Sequence, residues 1–223
     1  MFDAKNLELK LGIVGAGKIG TGIARAAVAA GYDVAISGSG TVDRIALTIE
    51  VLVPGARAAT TEDVIEHSDV VVLAVPTHRF RELDGDAFAG KILIDAMNYW
   101  EPIDGVDAEL ASAPRGTSAV VAGHFPSARI VKSLNHLGYH QFEEAKRPLE
   151  ATDRVGIAAA GDDREAVASV MALIEALGFD AVDAGGLEEG IALGPGGPAF
   201  GRAYSAVELA AALDHGAAER ASA

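Results

Sequence analysis

The stretch LGIVGAGKIGTGIARAAVAAG, residues 11–31, decides how the rest of the chain is read. An apolar run ends at Val14. Gly15, Gly17 and Gly20 follow as G-x-G-x-x-G, and an Ala-rich amphipathic run continues to Gly31. Each glycine has a mechanical reason. Gly15 permits a tight turn, Gly17 lets backbone amides approach a diphosphate with no side chain between, and Gly20 lets the helix pack closely on the strand. The helix start at Lys18, Ile19 and Gly20 presents unpaired amides and the positive end of the helix dipole to an anion. The motif alone is weak, but a strand precedes it, a helix follows, and a second apolar run at Asp33–Ile36 comes in register. The expectation is a unit that holds a dinucleotide.

Which dinucleotide depends on the end of that second strand, where NAD binders place an acid on the ribose diol. Here the residues are Ser37-Gly38-Ser39-Gly40-Thr41, with Arg44 one turn into the next helix. No carboxylate opposes a 2′-phosphate, and the hydroxyls with Arg44 are suited to hold one. This favours NADP over NAD. The plainer alternative is a polar turn beside a surface arginine.

Further along, apolar runs alternate with amphipathic ones. Strands are expected at Lys10–Val14, Asp33–Ile36, Val70–Val75, Ile92–Asp95, Ile130–Leu134, Val155–Ala159 and Ala181–Val182, with a weaker one near Arg57–Ala59. Helical spacing falls at Lys18–Ala30, Val42–Val53, Thr61–His67 with Thr61 as cap, Arg81–Ala89, Ser118–Ala122 and Asp163–Leu177. This pattern is that of an α/β chain: a Rossmann doubly wound, mostly parallel sheet with a small C-terminal extension. Residues 1–184 read as the dinucleotide-binding domain with added C-terminal strands, and 185–223 as a Gly/Pro-rich segment and a docking helix over Ala203–Leu213. Gly185–Arg202 reads as flexible, and it is either a ligand lid or a loop ordered by packing alone.

Composition removes several function classes. With 18 basic against 32 acidic residues the chain carries −14, which repels nucleic acid and anionic membranes. Residues 151–223 hold 12 acids against 4 bases, so an anionic ligand sits more easily on the first part. No run of 18 apolar residues suits a membrane span. The opening MFDAKNLELK lacks an apolar signal core, and the expected location is cytoplasmic. The absence of cysteine removes thiolate nucleophiles, cysteine zinc sites and iron–sulfur clusters.

Other polar residues gather after the expected strands, where a doubly wound sheet binds its ligands. Val75, Pro76 and His78 are placed to border the nicotinamide and its ribose, and Arg79 to touch phosphate or lie exposed. Asn98 is placed to bond the carboxamide or ribose, and Tyr99 or Trp100 either stacks on a planar ligand or covers the sheet edge. Lys132–His140 brings Asn135, His136, Tyr139 and His140 into one loop, with Asn135 and His136 the candidate catalytic residues. His136 and His140 lack an acid at ligand spacing, so no metal is expected. No Tyr-x-x-x-Lys pair, His–acid dyad, G-x-S-x-G elbow or Walker loop can be read. Hydride transfer between two redox cofactors needs none of these, since the protein need only hold two rings together and exclude water.

GIVGAGKIGTGIA, SDVVVLAVP, VKSLNHLG, VGIAAAGDD and VDAGGLEE together resemble the NADPH-dependent deazaflavin reductases, the coenzyme F420:NADP oxidoreductases, over about residues 10–200. The resemblance implies a homodimer whose partners are small-molecule cofactors. It implies NADP(H) against Gly15, Gly17, Lys18, Ile19 and Gly20, its 2′-phosphate at Ser37 to Ser39, and Val75, Pro76 and His78 at the nicotinamide ribose. Coenzyme F420, or a flavin, would rest near Asn135 to Leu137 and Pro198. The family commonly has an arginine in the second-strand turn where this chain has Ser39. Two further readings stay open: an NADP-dependent reductase of a small ketone or imine, with Tyr99, His136 or Tyr139 as proton donor, and a non-catalytic dinucleotide sensor.

Overall fold

The computed structural model describes residues 9–221, so residues 1–8 of the stretch read for a signal core lie outside it. Eight strands form one sheet: β1 (Leu11–Val14), β2 (Val34–Ser37), β3 (Arg57–Ala58), β4 (Val70–Leu73), β5 (Ile92–Asp95), β6 (Arg129–Ser133), β7 (Gly156–Ala160) and β8 (Asp180–Gly185). Their spatial order is β3-β2-β1-β4-β5-β6-β7-β8. Neighbours run parallel from β3 to β6, β7 turns antiparallel to β6, and β8 runs parallel with β7. Every residue of β1, β2, β4 and β5 is buried, as a parallel sheet covered on both faces requires. The order reverses at β1 and β4, which places the ligand crevice beyond their carboxyl ends.

The helices are α1 (Lys18–Ala29), α2 (Val42–Leu52), α3 (Thr61–His67), α4 (Glu101–Asp104), α5 (Ala108–Ala111), α6 (Thr117–His124), α7 (Tyr139–Glu144), α8 (Arg164–Ala176) and α9 (Ala206–Ala221). On one face of the sheet Ile13, Ile36 and Val72 pack with Ile23 and Ala27 of α1 and with Val167 and Ile174 of α8. On the other, Val14, Leu73 and Leu93 meet Val64 of α3, Val121 of α6 and the phenylalanines Phe80, Phe88 and Phe125. A smaller cluster joins Ala158 and Val182 to Leu193, Ala199 and Leu209, and so seats α9 on the last two strands.

Several boundaries differ from those expected, each for a local reason. The expected helix Arg81–Ala89 is two 3-10 turns, Thr77–Glu82 and Gly85–Phe88. Asp84 restarts the chain there by accepting the Asp86 N–H, and Gly85 lies against the His124 carbonyl, 2.3 Å from where a Cβ would stand. The cap of α3 is Thr60, whose hydroxyl accepts from Asp63 N–H, and Thr61 is the first helical residue. The final helix begins at Ala206, because Ser205 and Glu208 form a reciprocal capping box. The short α4, α5 and α7 have too few residues to show a helical period in sequence.

The segment Gly185–Arg202 is ordered by packing. Leu187–Leu193 forms a 3-10 helix with Leu187, Ala192 and Leu193 buried, and Ala199 is buried beyond it. Gly190 lies directly over Lys132, and Gly216 of α9 lies over Pro198. Among the described residues no helix is long and apolar enough to cross a membrane.

Candidate functional site

The turns after β1, β2 and β4 enclose a cleft of about 420 Å³. Gly15, Gly17, Val75 and Pro76 line it, as do Ser37, Gly38 and Ser39. Gly15 stands at φ 123°, and a Cβ there would lie 2.3 Å from the Ala74 carbonyl. A Cβ at Gly20 would lie 1.8 Å from the Gly15 carbonyl oxygen, so helix and turn touch backbone to backbone. Gly17 is different: a Cβ there would meet nothing within 4 Å. No side chain caps α1 and no acid occupies its first turn, so its leading amides lack a side-chain acceptor. This open, amide-lined cradle fits a diphosphate.

Ser37 ends β2 fully buried, its Oγ accepting from Thr61 Oγ1 at 3.1 Å. Ser39 and Gly40 continue the turn exposed, with Gly40 at φ 95° and the Arg44 stem beside it. Arg44 thus stands beside the turn and outside the cleft lining. The charged residues of the lining, Arg79 and Glu82, pair with each other at 2.6 Å. The turn after β2 therefore offers hydroxyls, no carboxylate of its own, and beside it the Arg44 guanidinium, unpaired among the described residues, which fits a 2′-phosphate. Lys18, the first residue of α1, leans away to the Tyr139 hydroxyl at 3.0 Å and over its ring. Ile19 is half-buried against the core around α1.

Beyond the carboxyl ends of β4, β5 and β6 the predicted residues divide. Asn98 and Asn135 clasp each other: Asn98 Nδ2 donates to the Asn135 carbonyl at 2.8 Å, and Asn135 Nδ2 to Asn98 Oδ1 at 2.9 Å. Asn135 Nδ2 also reaches the Leu193 carbonyl at 2.8 Å, which ties the clasp to the 3-10 helix. Leu134, just before it, takes φ 60°, a strained conformation for a leucine. His136 is sealed from solvent, and its Nε2 accepts the Ala158 N–H at 3.1 Å. An amide can only donate, so the ring proton sits on Nδ1. Burial pulls His136 down to about 4, which keeps it neutral. Leu137 is buried with it, so the face expected to carry a second ring lies beneath the surface. His140 stacks on Tyr139, centroids 3.9 Å apart.

His78 is the exposed member of the group. Its backbone N–H and Nδ1 both contact Asp104 Oδ1, at 3.2 and 2.9 Å, and Trp100 N–H donates to Asp104 Oδ2 at 2.8 Å. Tyr99 is committed elsewhere: its hydroxyl donates to the Gly105 carbonyl and accepts the Asp107 N–H. Trp100 is half-exposed on the outer side of that loop.

Residues 10–99 match the family described as NADP oxidoreductase, coenzyme F420-dependent. That family is one of NADP-dependent oxidoreductases. Among solved structures, a hypothetical protein of Sinorhizobium meliloti is similar at TM-score 0.76 and 24% identity, over 87% of this chain and 94% of that one. A protein of Arthrobacter described as an F420-dependent NADP reductase is similar at TM-score 0.67 and 25% identity, over 82% and 87%. An imine reductase of Pseudomonas shares the fold at TM-score 0.54 and 15% identity, over 96% of this chain and 63% of that one. No curated protein matches.

Two features of the site escaped the sequence. Asp104 has no motif to mark it, and its partnership with His78 spans 26 positions. The buried trio of Lys132, Asp95 and Ser118 did leave a trace: ILID and RIVKS each close an apolar run with a charge, of opposite sign, and β5 and β6 set those two residues side by side.

Proposed function

We propose that the protein transfers a hydride between NADP(H), held in the Gly15–Gly17 cleft, and an acceptor of deazaflavin (coenzyme F420) or flavin type lying over the carboxyl ends of β4 to β6. The observation that carries this reading is the cleft. An amide cradle open at Gly17 adjoins a hydroxyl-lined turn without a carboxylate of its own, in a chain whose residues 10–99 match an F420-dependent family. In the bound state Gly15 to Gly20 would hold the diphosphate, Ser37, Ser39 and Arg44 the 2′-phosphate, and Val75 and Pro76 the nicotinamide ribose. The dinucleotide would supply the hydride, and in the hydride step itself the chain's part is alignment and exclusion of water. With Asn135, His136 and Leu137 buried, the acceptor would lie on the surface they support. A homodimer goes with this reading through the resemblance, and a cytoplasmic location through the cysteine-free composition.

The test is anaerobic mixing of the protein with NADPH and oxidised deazaflavin, in parallel with free flavin and with no acceptor. Rapid bleaching of the deazaflavin is the expected result. NADPH binding without bleaching of either acceptor defeats the reading.

A further inference from the structure

The sequence offers no readable histidine–acid pair, yet folding makes one at the mouth of the cofactor cleft. His78 lies in the turn after β4 between Pro76 and Arg79, which both line the cleft. Asp104 arrives from α4, beyond β5, and its side chain is almost wholly buried while that of His78 is 42% exposed. A single carboxylate oxygen takes both the His78 backbone N–H and Nδ1. The other oxygen takes the Trp100 N–H, so Asp104 cannot swing away without breaking its loop. This fixes the ring's rotation and puts a proton on Nδ1, leaving Nε2 with no partner among the described residues and able to carry the second proton of the imidazolium. The bridge joins the turns after β4 and β5, over which the nicotinamide end of a dinucleotide lies in a doubly wound sheet.

Of the other candidate donors, His136 is sealed from solvent and Tyr99 donates its hydroxyl proton to the Gly105 carbonyl, while Tyr139 accepts from Lys18 and keeps its own proton. The neighbouring charges are paired, Arg79 with Glu82, and Arg81 with both Asp107 and Glu109, a cluster left with one net negative charge.

We propose that His78, positioned by Asp104, is the proton donor that completes reduction of the acceptor. The inference rests on the hydride-transfer reading above. NADPH gives its hydride to an electrophilic carbon of the acceptor. The electron pair displaced from that carbon's double bond settles on a conjugated nitrogen or oxygen. His78 acts as the imidazolium, with one proton on Nδ1 toward Asp104 and one on Nε2; the Nε2 proton passes to that acceptor atom, and the ring, now neutral with its proton on Nδ1, takes another from water. In sum, acceptor, NADPH and one proton yield reduced acceptor and NADP⁺. His78 is the catalytic residue and Asp104 the positioning residue.

The experiment compares wild type with His78→Gln and Asp104→Asn, using NADPH and oxidised deazaflavin. It records kcat against pH, KM for the acceptor, and the Kd of NADPH by its fluorescence. A general acid must hold its proton, so wild-type kcat falls as pH rises. In H78Q kcat is expected to drop about 100-fold and to lose that fall, as removal of a general acid does, with the Kd of NADPH unchanged. D104N, if it folds, is expected to keep NADPH affinity, lose less rate and shift the pH profile. H78Q is exposed and keeps the test open should D104N fail to fold. An H78Q enzyme with wild-type kcat and pH profile overturns the proposal while leaving the hydride-transfer reading intact. A loss in H78Q matched by an equal rise in Kd also overturns it, since His78 would then be serving the dinucleotide's ribose. A wild type that binds NADPH and reduces no acceptor overturns both.

Discussion

Lys132 Nζ stands 3.3 Å from Asp95 Oδ2, and both side chains are closed to solvent at 2% and 1% exposure. Adjacent positions on β5 and β6 create the pair, and Gly190 lies over the lysine stem. Ser118 donates to Asp95 at 2.7 Å, Met97 N–H at 3.0 Å, and Lys132 itself donates to the Met97 carbonyl. Burial holds Lys132 below the ordinary lysine range, against the pull of Asp95. Removing the carboxylate strands a buried cation. Asp95→Ala is therefore expected to lower stability by about 3–5 kcal/mol, read by urea denaturation, and to slacken the Met97–Asn98 turn. The double variant Asp95→Leu/Lys132→Met should recover part of that loss. A single variant as stable as wild type would contradict this account.

His136 predicts a pH dependence of stability. Its folded value of about 4 lies below the ordinary 6.5, so the unfolded chain binds the extra proton between those limits. Stability from this group is complete above pH 6.5 and drains away as pH falls toward 4. Between pH 7 and pH 5 the loss is about 2 kcal/mol, at 1.36 kcal/mol per unit. Urea midpoints measured at the two pH values should converge by that amount in His136→Gln, whatever its absolute stability.

The glycines of the cradle should separate by role. Gly20→Ala puts a methyl onto the Gly15 carbonyl, at a cost of about 3 kcal/mol, the upper range of overpacking, seen as a lowered melting temperature. Gly17→Ala meets no protein atom, so the fold should be untouched. Its methyl would enter the space read as the diphosphate's, and NADPH should bind about tenfold more weakly, a loss of about 1.4 kcal/mol. Equal NADPH affinity in G17A would show that the diphosphate lies elsewhere.

Arg44 tests the choice between dinucleotides. Arg44→Ala should reduce the preference for NADPH over NADH by about tenfold while leaving NADH affinity unchanged, the loss of one charge-assisted phosphate contact. The check is the melting shift given by each dinucleotide at matched concentration. Equal shifts from NADP and NAD in the wild type would remove the 2′-phosphate from the account.

The fold class and the glycine-rich turn after β1 could be read from the sequence. Both are local. Buried strands read as continuous apolar runs because both faces are covered, and the roles of Gly15, Gly17 and Gly20 depend on neighbours within a few residues. The turn at Ser37 to Ser39 was legible for the same reason, since it closes β2. What lay beyond β4 to β6 was not. Asn98, Asn135 and His136 looked in sequence like loop side chains free to act, but the 3-10 helix Leu187–Leu193 and β7 close over them and use their hydrogen bonds. His78 looked like an isolated loop residue until α4 brought Asp104 beneath it. Burial and partnership across distant strands depend on how layers stack, and no periodicity in one segment encodes another segment's position. Tertiary structure alone therefore decided which polar residues are buried and bonded and which one, His78, stays exposed with a buried carboxylate against it.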